Sequence, residues 1–237
     1  MWDKLVHDFT RNFIEDDRWK YLTNGLKNTL LITVVAALIG IVLGFLVATV
    51  RSSYDKSKLS EHKPGFFLSF LNAICQFYVT VIRGTPVVVQ LLITYFIIFA
   101  TSNNKMLSAF LAFGLNSGAY VAEIVRAGIE SIDQGQMEAG RSLGLSFGTT
   151  MGRIIMPQAF RNVLPALANE FISLLKETSV AGYIAIADLS KGGDIIRSNT
   201  YDPYMPLFAV ALIYLTIVLI LSTGVKYLER RLHQNGK

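Results

Sequence analysis

The sequence predicts an all-α protein that crosses a membrane about five times, and three observations carry that prediction. Hydrophobic residues make up 52% of the 237 residues and charged ones only 16%, with a mean hydropathy of +0.43. A soluble domain of that composition would expose far too much apolar surface. Apolar runs near bilayer length recur along the chain between polar stretches. The basic residues are dispersed through those polar stretches rather than gathered in a stripe, so orientation in a membrane explains the net charge of +5 better than nucleic-acid binding does. The single Cys75 excludes an internal disulfide and reads as a small buried apolar residue.

Residues 1–28 are mixed polar and charged and are expected to form an extracytoplasmic tail. The first apolar run, Thr29 to Val50, is 22 residues long and lacks a small-residue cleavage site, so it reads as a span and not as a removed signal peptide. The second span, Pro86 to Ala100, has fifteen residues, short for a hydrocarbon core of about 30 Å at roughly 1.5 Å per residue. Just before it, Phe66, Phe70, Ile74, Phe77 and Val81 recur at helical spacing, so the segment to Ile82 can lie along the interface or enter the membrane. The Arg83-Gly84-Thr85-Pro86 break follows, with Thr85 expected as N-cap and Pro86 as first helical residue. Spans three to five are expected at Leu107–Ile129, Ala159–Ala187 and Met205–Tyr227, which makes 29–227 the membrane domain and 228–237 a cytoplasmic tail.

Orientation follows from the basic residues. Arg51, Lys56, Lys58, Lys63 and Arg83 follow span one, Arg126, Arg141, Arg153 and Arg161 flank the connection after span three, and Lys226, Arg230, Arg231 and Lys237 end the chain. The other side holds Lys105, Lys191, Arg197 and a tail whose five bases are balanced by five acids. The N-terminus is therefore expected outside and the C-terminus in the cytoplasm, with the connection at 130–157 cytoplasmic.

That connection is polar and punctuated by glycine. Asp133 with Gln136 three residues later reads as a helix start, Gly144 is placed to end the helix in a left-handed conformation, and a second short helix begins at Ser146. Phe147, Met151 and Ile154 give the second helix one apolar edge, and Pro157 fits the first turn of the next span. Two short helices meeting at a glycine form a rigid exposed element suited to a groove on a partner.

From Glu138 the chain reads Glu138-Ala139-Gly140, then Arg141, Ser142 and Leu143, then Gly144, nine residues, and Ile154-Ile155-Met156-Pro157. This resembles the signature loop of the membrane subunits of bacterial binding-protein-dependent ABC importers: Glu-Ala-Ala, three residues, Gly, nine residues, Ile-x-Leu-Pro. Gly140 stands for the second Ala and Met156 for the Leu. The resemblance implies the type I importer permease fold and an ATPase-coupling role for Glu138 to Gly144. Three further runs are similar to the polar amino-acid branch of these permeases: Arg83 to Gln90, Asn116 to Arg126, and Leu175 to Ser179, the last with Glu177 where Asp is expected. That branch imports histidine, glutamine, glutamate, arginine, cystine or opines.

No Gly-x-x-x-x-Gly-Lys-Ser/Thr loop occurs, so the chain is expected to be no enzyme. ATP and Mg would belong to a partner ABC ATPase, with no cofactor bound by this chain. The resemblance further implies a second permease subunit, identical or related, and an extracytoplasmic solute-binding protein, which Gly192-Gly193 with Asp188, Lys191 and Asp194 in an outer loop could meet. His7, His62 and His233 are scattered, so no metal site is expected.

A substrate path needs polar groups inside the membrane, where charges are costly enough to read as functional. Asn116, Tyr120 and Glu123 share one face of span three, and Asn169, Ser173 and Lys176 share one face of span four with Glu170 beside them. Arg83, Thr85 and Gln90 stand at the start of span two. An amino acid would need donors for its carboxylate, such as Arg83, and acceptors for its ammonium, such as Glu123 or Glu170, though Arg83 also reads as an interfacial anchor and the acids as internal partners. Gly40 with Gly44, and Gly114 with Gly118, read as packing marks. An ion-gradient-driven amino-acid carrier is the alternative, and it would need no docking loop.

Overall fold

The computed structural model describes residues 2–59, 64–102 and 104–234, so His62, Lys63 and Lys237 lie outside the described residues. Among the described residues the chain is helical, with no strand. Helix α1 (Trp2–Phe9) leads through a π turn at Thr10–Ile14 into α2 (Trp19–Leu59), and α3 (Phe66–Arg83) follows. Next come α4 (Val87–Ile93), continued by a π turn at Thr94–Ile98, and α5 (Lys105–Glu130). The short α6 (Gln134–Ser142) and α7 (Phe147–Thr150) precede α8 (Met156–Glu177), which tightens into 3-10 turns at Thr178–Ile184. The chain closes with α9 (Leu189–Thr200) and α10 (Tyr204–Gln234).

Among the described residues four helices are long and apolar enough to cross a membrane: Trp19–Lys58, Phe66–Arg83, Lys105–Glu130 and Tyr204–Leu232. The segment from Phe66 is thus a full-length candidate in its own right. The expected second span is shorter than its fifteen residues, an apolar helix over Val87–Ile98. The expected cap also differs: Pro86 is the N-cap, with ψ 137°, and Thr85 turns back so that its hydroxyl donates to the Val81 carbonyl at 2.8 Å. The proline ring carries no acceptor, so this helix starts without a side-chain cap, its first turn closed by the Val89 amide donating to the Pro86 carbonyl at 3.0 Å. Helix α8 is too polar to join the four. It carries Pro165 in its interior, and beyond it the expected span to Ala187 gives way to 3-10 geometry and to Ala185 at φ 55°.

The chain divides into two compact units, one comprising residues 1–38, 86–114 and 172–222 and the other 39–85, 115–171 and 223–237. In the first, Ile32, Ala36, Leu91, Phe113, Leu174 and Ile184 form one core, and Phe13, Leu22, Leu189, Ile196 and Val210 form another. Phe13 brings the N-terminal segment into that second core, and the fully buried Asn12 pins it: its amide donates to Asp202 Oδ2 at 2.7 Å and its carbonyl accepts from the Thr200 hydroxyl at 2.8 Å. Helices α2 and α9 touch backbone to backbone. A methyl group on Gly25 would lie 2.6 Å from the Asp188 carbonyl oxygen, and one on Gly192 would lie 2.5 Å from that of Tyr21. Gly192 and Gly193 are therefore buried packing residues inside α9 and not a docking loop, which corrects the expectation.

In the second unit Val47, Val79, Ala119 and Ala122 form a core with Cys75 packed against it, and Ala48, Val121, Val125 and Val163 form another. The glycine marks act as expected at three positions. Added methyls would lie 2.8 Å from Ser117 at Gly40, 2.5 Å from Val121 at Gly44, and 2.8 Å from the Tyr78 hydroxyl at Gly118. Residue numbers rise together across the first two contacts, so α2 and α5 run in the same direction here.

Candidate functional site

The glycine-punctuated connection folds as its local residues dictate. Asp133 caps α6, its Oδ1 accepting from the Gly135 amide at 2.7 Å. The helix closes in a Schellman motif: the Gly144 amide donates to the Arg141 carbonyl at 3.0 Å and the Leu145 amide to the Gly140 carbonyl at 3.1 Å, with Gly144 at φ 81°. Ser146 then caps α7 by accepting from the Thr149 amide at 3.2 Å.

Glu138, Ala139, Arg141, Ser142, Leu143 and Gly144 are all exposed, and Leu143 is 82% so. Gly140 is the exception. It is buried against α7, where a methyl group would lie 2.5 Å from Thr150 Cγ2. Glu138 lines an open cavity of about 790 Å³ with Asp55 and Lys56 of α2, Arg126 and Glu130 of α5, and Phe147. Lys56 lies over the Phe147 ring, 5.4 Å from its centre. An exposed leucine beside a carboxylate and a guanidinium, on two helices locked by glycine, presents apolar and charged groups together to solvent.

A second cluster in the same unit gathers three of the path candidates. Glu123 is ion-paired to Arg51 of α2, to Arg83 at the end of α3 (3.5 Å) and to Arg126 one turn along α5 (3.4 Å), and Arg126 also pairs with Glu130. Arg83 in addition lies 5.4 Å from the centre of the Tyr120 ring. Three cations thus face two acids. Glu123 is therefore already committed to cations of this chain, and the cluster ties α2, α3 and α5 together.

Asn116 is buried, and Glu170 accepts from the Ser117 hydroxyl at 3.0 Å, while Asn169 of α8 is exposed. Gln90, Ser173 and Lys176 belong to the other unit. Lys176 there lines a cavity of about 300 Å³ with Ser179, Ser190, Tyr214 and apolar residues of α10. Nearby, Asp188 caps α9 with bonds from the Ser190 and Lys191 amides. Burial pushes its carboxyl up to about 6 against the pull of those amides.

Sequence reasoning missed Arg51, Lys56 and Thr150. Arg51 and Lys56 read only as orienting charges, and nothing local marks Thr150 as the residue that Gly140 accommodates.

The family of binding-protein-dependent transport system inner membrane components matches residues 65–234. The chain is 38% identical to the arginine transport system permease protein ArtQ of Bacillus subtilis, covering 91% of this chain and 94% of that protein. It is 35% identical to the L-cystine transport system permease protein TcyB of Bacillus subtilis, over 93% of this chain and 90% of that one. It is also 32% identical to a putative glutamine transport system permease protein, GlnP of Rickettsia felis, over 91% and 94%. Among solved structures, an amino acid ABC transporter crystallised with histidines superposes with a TM-score of 0.79 at 38% identity, covering 90% of this chain and 94% of that one. The MetNI methionine ABC transporter shares the fold at a TM-score of 0.73 and 17% identity, over 92% and 99%. With its exposed glycine-locked loop, its long apolar helices and these matches, the chain belongs to the family of inner membrane components of binding-protein-dependent transport systems, as a multi-pass permease.

Proposed function

We propose that this permease imports an α-amino acid, driven by a separate ABC ATPase that grips the loop from Glu138 to Gly144. The observation that carries the reading is the loop itself: a Schellman-closed helix presenting Glu138, Arg141 and Leu143 to solvent, locked to α7 through Gly140. The substrate class rests on relatives named for arginine, cystine and glutamine transport at 32–38% identity across nearly the whole chain. The loop faces the cytoplasm in this reading, with the N-terminus outside. The parallel course of α2 and α5 fits, since it requires an odd number of crossings between them.

ATP binding draws two ATPase subunits together, the loops follow, and paired helix bundles, of identical or related chains, turn so that the path opens to the other side. An extracytoplasmic receptor delivers the substrate. Asn116, Glu170 and Lys176 remain candidates for its path, whereas Glu123 serves first to bind arginines of its own chain, which removes one support for a cationic substrate. Glu138→Lys tests the central claim in proteoliposomes with ATPase and receptor. The variant is expected to insert and assemble but to lose most substrate-stimulated ATP hydrolysis and uptake, and wild-type rates would refute the role of Glu138.

A further inference from the structure

We propose that α1 is a lipid-binding anchor that lies in the membrane interface, on the side where α2 and α10 begin. Its apolar residues Trp2, Leu5, Val6 and Phe9 fall at i, i+3, i+4 and i+7, one stripe, and are 75, 49, 51 and 50% exposed. The polar residues Asp3, Lys4, His7 and Asp8 occupy the opposite arc. An exposed stripe of this size must be covered.

What covers it follows from where the helix is tied. Asn12 bonds Thr200 and Asp202, just before α10 starts at Tyr204, and Phe13 packs with Leu22 in the first turns of α2. Phe9 in turn stacks on Phe13, with ring centres 5.2 Å apart. The helix is thereby fixed beside the beginnings of two spanning helices, where Trp19, Tyr21, Tyr204, Leu207 and Phe208 are themselves exposed. Aromatic residues at that height mark the boundary between headgroups and chains, and the stripe continues the same lipid-facing surface. Its area, on the order of 450 Å² from four partly exposed side chains, falls short of the roughly 800 Å² per partner that a stable protein interface needs. With Lys4 offset by Asp3 and Asp8, the polar arc needs no anionic lipid, and burial of the stripe is the driving interaction.

The test uses the full-length protein in phosphatidylcholine vesicles. Trp2 and Trp19 are the two tryptophans, so Trp19→Phe leaves Trp2 as the sole reporter. Its emission is expected to be blue-shifted and quenched more strongly by bromines placed near the headgroup than by bromines near the chain end, with no change on adding salt. Leu5→Glu combined with Val6→Glu in that background should lose the quenching. Water-like emission without quenching would overturn the proposal, and so would blue-shifted emission that no brominated lipid quenches, because a protein surface would then cover the stripe. If the double variant fails to insert, the depth profile of the single variant decides alone.

Discussion

A methyl group at position 140 would lie 2.5 Å from Thr150 Cγ2 and 2.8 Å from its hydroxyl, closer than side chains pack, so glycine here is matched to a bulky neighbour across the loop. Gly140→Ala is expected to cost about 1–3 kcal/mol locally, seen as faster hydrogen exchange at the Gly144 and Leu145 amides, and adding Thr150→Ala should restore most of the protection. At Asp188 the folded pKa of about 6 stands above the ordinary 3.8, so the native state binds the extra proton. Its contribution is complete below pH 3.8 and lost as the pH rises through about 6. Melting temperature should therefore fall between about pH 4 and 6 through a contribution on the order of 3 kcal/mol, and Asp188→Asn, which keeps the cap, should flatten that step.

Among the elements, α5 supplies Glu123, Arg126 and Glu130 to the ion-paired cluster of the second unit. Glu123→Gln would leave Arg51, Arg83 and Arg126 facing Glu130 alone, and losing these partly exposed pairs costs roughly 1–3 kcal/mol. A melting temperature lowered by several degrees in detergent, before any transport is measured, is the expected result. An unchanged melting curve would instead return Glu123 to the substrate path. The contrast between this cluster and the loop shows what could be read in advance. Asp133 and Ser146 accept from amides two and three residues ahead, and the Gly144 amide donates to the carbonyl of Arg141 three residues back, so capping rules place both short helices without tertiary knowledge. Arg51 meets Glu123 across 72 positions, and a basic residue near the end of a span has a sufficient explanation in orientation alone. Gly192 misled for a related reason: a glycine pair between spans suggests a loop, whereas the reason for it is the carbonyl of Tyr21 in another helix.

At the scale of the whole chain, composition and apolar runs sufficed for the membrane class and the helical fold, and the spacing from Glu138 to Pro157 sufficed for the family. Span limits were legible only where an apolar run ends in charge. The interruption at Arg83 to Pro86 left open how the chain divides between α3 and the Val87–Ile98 helix, because a proline sets local geometry and not depth. Topology has a direct readout. With Cys75→Ser as background, Ser142→Cys should react with an impermeant maleimide in inside-out vesicles and resist it in right-side-out ones, and the reverse pattern would invert the orientation proposed above.

The mutual approach of Gly25 and Gly192 limits how transport strokes can be built. Where two helices meet main chain on main chain, no side chain is left to swing or slide as a bearing, and any shear would drive carbonyl oxygens into α-carbons. The beginning of α2 and the whole of α9 must then travel as one welded piece, and whatever flexing a working cycle demands has to be found at other joints of the chain.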